Sequence, residues 1–370
     1  MGKRIRLEKL NPFKDRTPVQ RQHAAEYLLI TLISFATSVG GTRLFLEITG
    51  YPKLGSGEIH IAHVLWGGLF LFIASLLPLI LANEWGLQLS ALLAGFGIGL
   101  FIDEVGKFIT QTNDYFYPAA APIIYVIFLL TVLLFAQIRN NRKTSTRTEM
   151  YGILEDFNEV LDHDLSTDEY NDLLTRLDIV ISKNETAALV ELAQSLKDSL
   201  EANRSRVVPK APMLFDRIRI WSLRLENKWL DRKRLRHILI IGLLVWGVWA
   251  LVSPIGFLLI SRDASQLQVF LDQLISNRLV RTASGLNWFE ARVLLEGSVG
   301  VISLVAAGLM IVKAEKKGVW TGIVDLLITL TLVNPLVFYF DQFSSMIAAI
   351  FQFVLFIFLL RYRRRFMIEM

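Results

Sequence analysis

Apolar residues in this chain come in long unbroken blocks, and that arrangement constrains the fold more than any motif does. A block from Tyr27 to Ile48 is followed by others at Ile59–Ala82, Trp85–Ile109 and Tyr117–Ile138. After a polar interval come Ile238–Ile260, Val293–Val312, Val319–Phe340 and Ser344–Leu360. Each is close to the ~20 residues that a helix needs to cross the ~30 Å hydrocarbon core of a bilayer. Lipid offers no partner to a free backbone N–H or C=O, so a crossing segment has to be a helix or a strand of a closed barrel. The short segments of alternating polarity that mark a barrel are absent. The expected fold is therefore all-α, a polytopic integral membrane helical bundle of about eight transmembrane helices with a helical insertion. A composition 53% apolar and only 20% charged over 370 residues agrees, being too greasy for a soluble globular chain of that length.

The blocks divide the chain into four parts. Residues 1–24 form a basic N-terminal segment, 25–138 a first four-helix membrane unit, 139–236 a water-soluble helical domain, and 237–370 a second four-helix membrane unit. The first block is too long, and lacks the small-residue cleavage site, for a removed signal peptide. Inside the insertion, Ser166 with Glu169 three residues later predicts a capping box, and Asn184-Glu185 predicts another helix start. From Leu214 to Arg236, apolar residues such as Leu214, Trp221 and Trp229 alternate at helical spacing with arginines and lysines. Such a helix suits a membrane surface bearing anionic lipid headgroups; packing on the other helices of the insertion is the plainer alternative. The polar stretch Ser261–Arg292 holds a short amphipathic helix around Leu267 to Leu274. No internal repeat links the two membrane units, which weakens the common transporter architecture.

Lysine and arginine set the expected orientation. With the N-terminus inside, all but Arg43, Lys53, Lys107, Arg262, Arg278, Arg281 and Arg292 of the 39 basic residues fall on the cytoplasmic side. Both termini and the insertion are then cytoplasmic, in a multi-pass protein of the cell membrane. The net charge of +5 is held beside apolar spans, so the lipid surface is the expected partner and nucleic acid is not. No cysteine is present, which removes disulfides, thiolate ligands and cysteine nucleophiles.

On this topology three polar pieces meet at the outer boundary. The second span opens with Glu58-Ile59-His60-Ile61-Ala62-His63, the third closes with Asp103-Glu104-Val105-Gly106-Lys107, and the next turn reads Asn113-Asp114-Tyr115. His60 and His63, three apart, would share a helix face. Asp103 and Glu104 would not, though either reaches Lys107. Gly67 and Gly68 stand opposite Gly95, Gly97 and Gly99, and small residues let membrane helices approach closely.

Three readings divide these residues. His60, His63 and Asp103 offer ligands for Zn²⁺ or a similar ion, with Glu104 and Asp114 as catalytic carboxylates acting on a lipid or envelope substrate. Ionisable groups at membrane depth equally suit proton or ion handling. The plainest reading has the carboxylates paired with Lys107 and the bundle stabilised, nothing more. In the second half, Asp325, Glu296 and the Asn334-Pro335 break would serve an ion-coupled transporter; the simpler expectation is that Pro335 kinks its helix and Asp325 pairs with Lys316 or Lys317. A scaffold binding a protein partner through 139–236 is a further possibility. No phosphate-binding glycine loop, Gly-x-Ser-x-Gly elbow or dinucleotide fingerprint is present.

The stretch His60 to Tyr117 resembles a group of bacterial multi-span membrane proteins with His-x-x-His-Val-Leu-Trp-Gly-Gly, Phe-Ile-Asp-Glu-x-Gly-Lys-Phe and Asn-Asp-Tyr-Phe motifs. More distantly, the order of histidine, acid at the end of the next helix and aspartate in the following turn is similar to the VanZ-like family, named for teicoplanin resistance. The resemblance covers about 60 residues and implies that His63, Glu104 and Asp114 form the polar core. It transfers no activity, because this chain adds an insertion and four further spans.

Overall fold

A computed structural model describes residues 18–50, 62–115, 117–140, 145–162, 165–183, 186–202, 231–276 and 283–367. Among them every regular element is helical and there is no β-strand. In chain order the helices are α1 (Ala24–Thr49), α2 (His63–Ile80), α3 (Glu84–Asp103), α4 (Val105–Ile109), α5 (Ala120–Asn140), α6 (Thr146–Asp162), α7 (Thr167–Lys183) and α8 (Ala187–Ala202). They continue with α9 (Arg232–Ile260), α10 (Ala264–Ser276), α11 (Ala283–Ile311), α12 (Glu315–Ile328), α13 (Asn334–Asp341) and α14 (Met346–Phe366).

Among the described residues, seven continuous helical runs are long and apolar enough to cross a membrane, and the last of these is the 52-residue stretch Glu315–Phe366. At 1.5 Å per residue it would reach about 78 Å, more than twice a bilayer core. It is in fact a hairpin. A 3-10 turn at Gln342–Ser345 divides it, with Gln342 in the left-handed region at φ 49°. Val319, Ile323 and Leu326 at its start pack with Leu355, Leu359 and Tyr362 at its end. Counted as two, the run gives eight candidate spans among the described residues. Many large apolar side chains on these helices face outward, Leu79, Ile80, Val312 and Ile347 among the most exposed, which is the surface that lipid covers.

By contacts the chain separates into two compact units. The first holds Met1–Ile33, Ile73–Leu93 and Val132–Met213. Its centre is the three-helix packing of α6, α7 and α8 around Met150, Ile153, Tyr170, Leu173, Leu177, Ala193 and Leu200. The capping box forms as the spacing requires: Ser166 N donates to Glu169 Oε2 at 2.9 Å, and Glu169 N donates to Ser166 Oγ at 3.3 Å. Asn184 and Glu185 lie outside the described residues, and α8 begins two residues later at Ala187. The basic amphipathic stretch from Leu214 is likewise outside them up to Leu230.

Ion pairs tie this unit together. Arg176, nearly buried, reaches Glu149 (2.7 Å), Asp156 (2.5 Å) and Asp172 (3.2 Å). Arg21 meets Glu155 at 2.9 Å, and His23 meets Asp156 at 3.5 Å. The Asp156 carboxylate, with Glu26 beside it, raises His23 from 6.5 to about 10. Burial, with Glu169 and Glu84 adding like charge, pushes Glu159 from 4.5 to about 8.

The second unit holds Ser34–Phe72, Ala94–Thr131 and Leu214–Met370. Its larger core joins α9, α11, α12 and α14 through Leu239, Leu243, Ala306, Met310, Leu326 and Leu359. Glycines bring backbones into contact. A Cβ at Gly300 would stand 3.0 Å from the Gly247 carbonyl oxygen, and one at Gly97 only 2.9 Å from that of Gly67. Gly67 and Gly97 therefore meet as expected, whereas Gly68 faces open space and Gly99 packs on Ser38 of α1.

Asn334-Pro335 does not break its span. Residues Thr329–Val333 form a π turn, in which Asn334 N–H bonds to the Thr329 carbonyl five residues back. In that register the Leu330 carbonyl would look to residue 335, and proline has no N–H to give. The Tyr125 hydroxyl supplies the missing donor at 2.8 Å. Asn334 Nδ2 in turn donates to Tyr125 Oη (3.1 Å) and Gln352 Oε1 (2.7 Å), so this buried polar group stays satisfied in an apolar core.

Candidate functional site

The two acids at the end of α3 converge on the imidazole that opens α2, and the local chain path explains how. The third span does not run on as a single helix to Ile109. Glu104, with φ −90° and ψ 9°, interrupts it between α3 and α4. That single non-helical residue turns two neighbouring acids toward the same target, which an unbroken helix could not do. His63 Nε2 lies 3.1 Å from Asp103 Oδ2, and His63 Nδ1 lies 3.0 Å from Glu104 Oε1. Lys107, one turn on, donates to Glu104 Oε1 at 3.1 Å.

Asp103 has further partners. Arg43 Nε donates to its Oδ1 at 2.5 Å and Arg43 Nη2 to its backbone carbonyl at 3.1 Å, while the Tyr115 hydroxyl donates to Oδ2 at 2.6 Å. The Arg43 guanidinium is also stacked over the rings of Tyr115 (4.3 Å) and Phe343 (3.7 Å). Asp103 and Glu104 are fully buried, Arg43 nearly so, and His63 keeps 21% of its side chain exposed. Buried charges of both signs thus balance one another, with the imidazole reaching the surface between two carboxylates.

Asp114 enters the frame through its backbone. Its N–H bonds to Thr110 Oγ1 at 2.8 Å, and its carbonyl lies so close to Gly106 that a Cβ there would stand 2.7 Å away. Asn113 takes the left-handed conformation that the polar turn needs, at φ 52°. His60 lies outside the described residues, and α2 begins at His63. Among the described residues no group of three His, Asp or Glu side chains is placed to hold a metal ion. The donors that would serve zinc are turned on one another: both ring nitrogens of His63 face carboxylates, and both oxygens of Asp103 are occupied by Arg43, Tyr115 and His63.

Two members of the cluster were not expected. Arg43 pairs with Asp103 across α1 and α3, and the signal for it was present: a lone cation inside an apolar span has to find an anion. Tyr115 carries no such signal. One atom stands apart, because Glu104 Oε2 is buried with no hydrogen-bond partner.

In the second half, Glu296 meets Arg292 at 3.3 Å, and Arg292 also grips Asp341 with both terminal nitrogens. Asp325 corrects the expectation of a pair with Lys316 or Lys317. It is fully buried, and neither carboxylate oxygen has a hydrogen-bond partner. Because α12 starts at Glu315 rather than Val319, Asp325 lies ten residues into the helix, about 15 Å along its axis. Comparison of the chain with protein-family profiles, with curated proteins and with solved structures gives no match.

Proposed function

We propose that this chain is a multi-span protein of the cytoplasmic membrane in which Glu104 and His63 carry out acid–base chemistry on the polar head of a lipid or envelope substrate. The excess of lysine and arginine on one side supports a reading with the termini inside and the cluster at the outer boundary. The observation that carries the reading is Glu104 Oε2. Every other carboxylate oxygen of the Asp103–Glu104 pair is already bonded, and this one is buried and open. A buried acceptor without a donor is costly unless a ligand supplies one. A substrate hydroxyl or ammonium donating to Oε2 would meet that need.

In this reading Glu104 accepts the substrate proton as general base. His63, whose Nδ1 lies 3.0 Å from the other oxygen of the same carboxylate, takes that proton from Glu104 and returns it to the leaving product. Asp103, fixed by Arg43 and Tyr115, positions the ring by holding Nε2. The similarity of His63, Glu104 and Asp114 to the VanZ-like order supports the same cluster. The basic stretch from Leu214 to Arg236 would hold the insertion against anionic headgroups at the inner surface.

The test is a comparison of membrane lipids and envelope precursors, by mass spectrometry, from cells expressing the wild-type chain, Glu104→Gln and His63→Asn. A species that changes with the wild type and reverts in Glu104→Gln, with His63→Asn intermediate, is the expected result. Identical profiles in all three would remove the enzymatic reading.

A further inference from the structure

Asp325 presents a problem that the rest of the second unit does not solve. It is fully exposed to nothing but protein, in the interior of an apolar span, and both its oxygens lack a hydrogen-bond partner. Three arginines on the helices packed with α12 are engaged with other acids. Arg232 and Arg236 pair with Glu315, and Arg292 pairs with Glu296 and Asp341. Among the described residues, Ser303 of α11, itself fully buried, approaches Asp325, and its hydroxyl donates to the Leu243 carbonyl at 3.2 Å.

The backbone beside Asp325 is irregular in the same place. The π turn Thr329–Val333 begins one helical turn later, and Thr329 Oγ1 donates to the Asp325 carbonyl at 2.8 Å. Single π turns concentrate where helices serve a function, since they cost regular hydrogen bonding. Its freed carbonyl at Leu330 is met by Tyr125, and the nearby Asn334 and Gln352 are bonded to each other. The network therefore closes on itself and leaves the carboxylate out.

An ionised carboxylate held here without a counter-charge is strongly unfavourable, so a positive species has to share its oxygens. We propose that Asp325 and Ser303 form an intramembrane cation site that takes a small hard cation, a proton or Na⁺. Two carboxylate oxygens and a hydroxyl oxygen are hard donors suited to either, and they offer no nitrogen or sulfur to a softer ion. The site is independent of the chemistry at Glu104.

The experiment uses the full chain in detergent micelles and dicyclohexylcarbodiimide, which adds to protonated carboxyls in apolar surroundings. Peptides are read by mass spectrometry, with Asp325→Asn as the blank. Labelling at Asp325 that is suppressed by NaCl and not by choline chloride assigns the site to Na⁺. Labelling that ignores sodium but declines severalfold as pH rises assigns it to the proton. Labelling indifferent to both would mean a permanently neutral acid and overturn the proposal. So would the absence of label at every pH together with a melting temperature that neither sodium nor pH shifts differently from Asp325→Asn.

Discussion

Asp103 and Asp325 are equally buried in the same unit, and they could hardly be more different in what surrounds them. Asp103 is met by Arg43, Tyr115 and His63, while neither carboxylate oxygen of Asp325 has a hydrogen-bond partner among the described residues. Burial therefore does not say what a membrane carboxylate is for; the census of its partners does. A carboxylate that is fully partnered holds helices in register. One that is left open is free to bind something else.

The sharpest test of that contrast makes the same change at both places. Asp103→Asn leaves the Arg43 guanidinium buried without its anion and is expected to cost about 3–5 kcal/mol, read as a lowered unfolding midpoint in detergent. Asp325→Asn replaces a group that no ion pair or hydrogen bond holds, at nearly constant shape, and should change stability by no more than on the order of 1 kcal/mol in sodium-free buffer. Equal losses at both sites would break the comparison.

A smaller effect separates the members of the Asp103 cluster. Tyr115→Phe deletes one hydrogen bond to Asp103 and keeps the ring under Arg43, so about 0.5–1.5 kcal/mol should be lost. A loss as large as that of Asp103→Asn would show the hydroxyl to be as important as the ion pair.

The smallest effect concerns the first unit, where charged groups sit nearer to water. Glu159 has a folded pKa of about 8 against an ordinary 4.5, so the fold favours its neutral form and loses stability as pH rises between those values. His23 has a folded pKa of about 10 against 6.5; its stabilisation is complete below 6.5 and is lost as pH rises toward 10. Both losses overlap between 6.5 and 8. Hydrogen exchange in α6, corrected for intrinsic rates, should be faster at pH 9 than at pH 6. The reverse order would show that neither group is held as the fold places it.

The spans and the capping box were legible in the sequence because each depends on local pattern: a block long enough to cross lipid, or a serine three residues before a glutamate. His63, Glu104 and Lys107 were legible for a related reason, since polar residues at the ends of consecutive spans are brought together by topology alone. Glu104 as a helix break was not, because nothing in Phe101-Ile102-Asp103-Glu104-Val105-Gly106 forbids a continuous helix. The Tyr115 contact depends on the path of a turn, and the π turn depends on a hydroxyl contributed by another span. The isolation of Asp325 was hidden for the opposite reason. Two lysines lay within reach along the chain, and only the packed helices show that they are not used.

The bond from Tyr125 to the Leu330 carbonyl carries a consequence for assembly. Its two ends are 205 residues apart. A ring nitrogen at Pro335 cannot close the turn that precedes it, so a segment inserted without the earlier spans would place an unpaired carbonyl in hydrocarbon, which lipid cannot answer. The later half of the chain thus takes from the earlier half one hydrogen-bond donor that it does not supply for itself. Co-expressed halves should find one another for that reason, and the second half made alone should be the one that quality control removes.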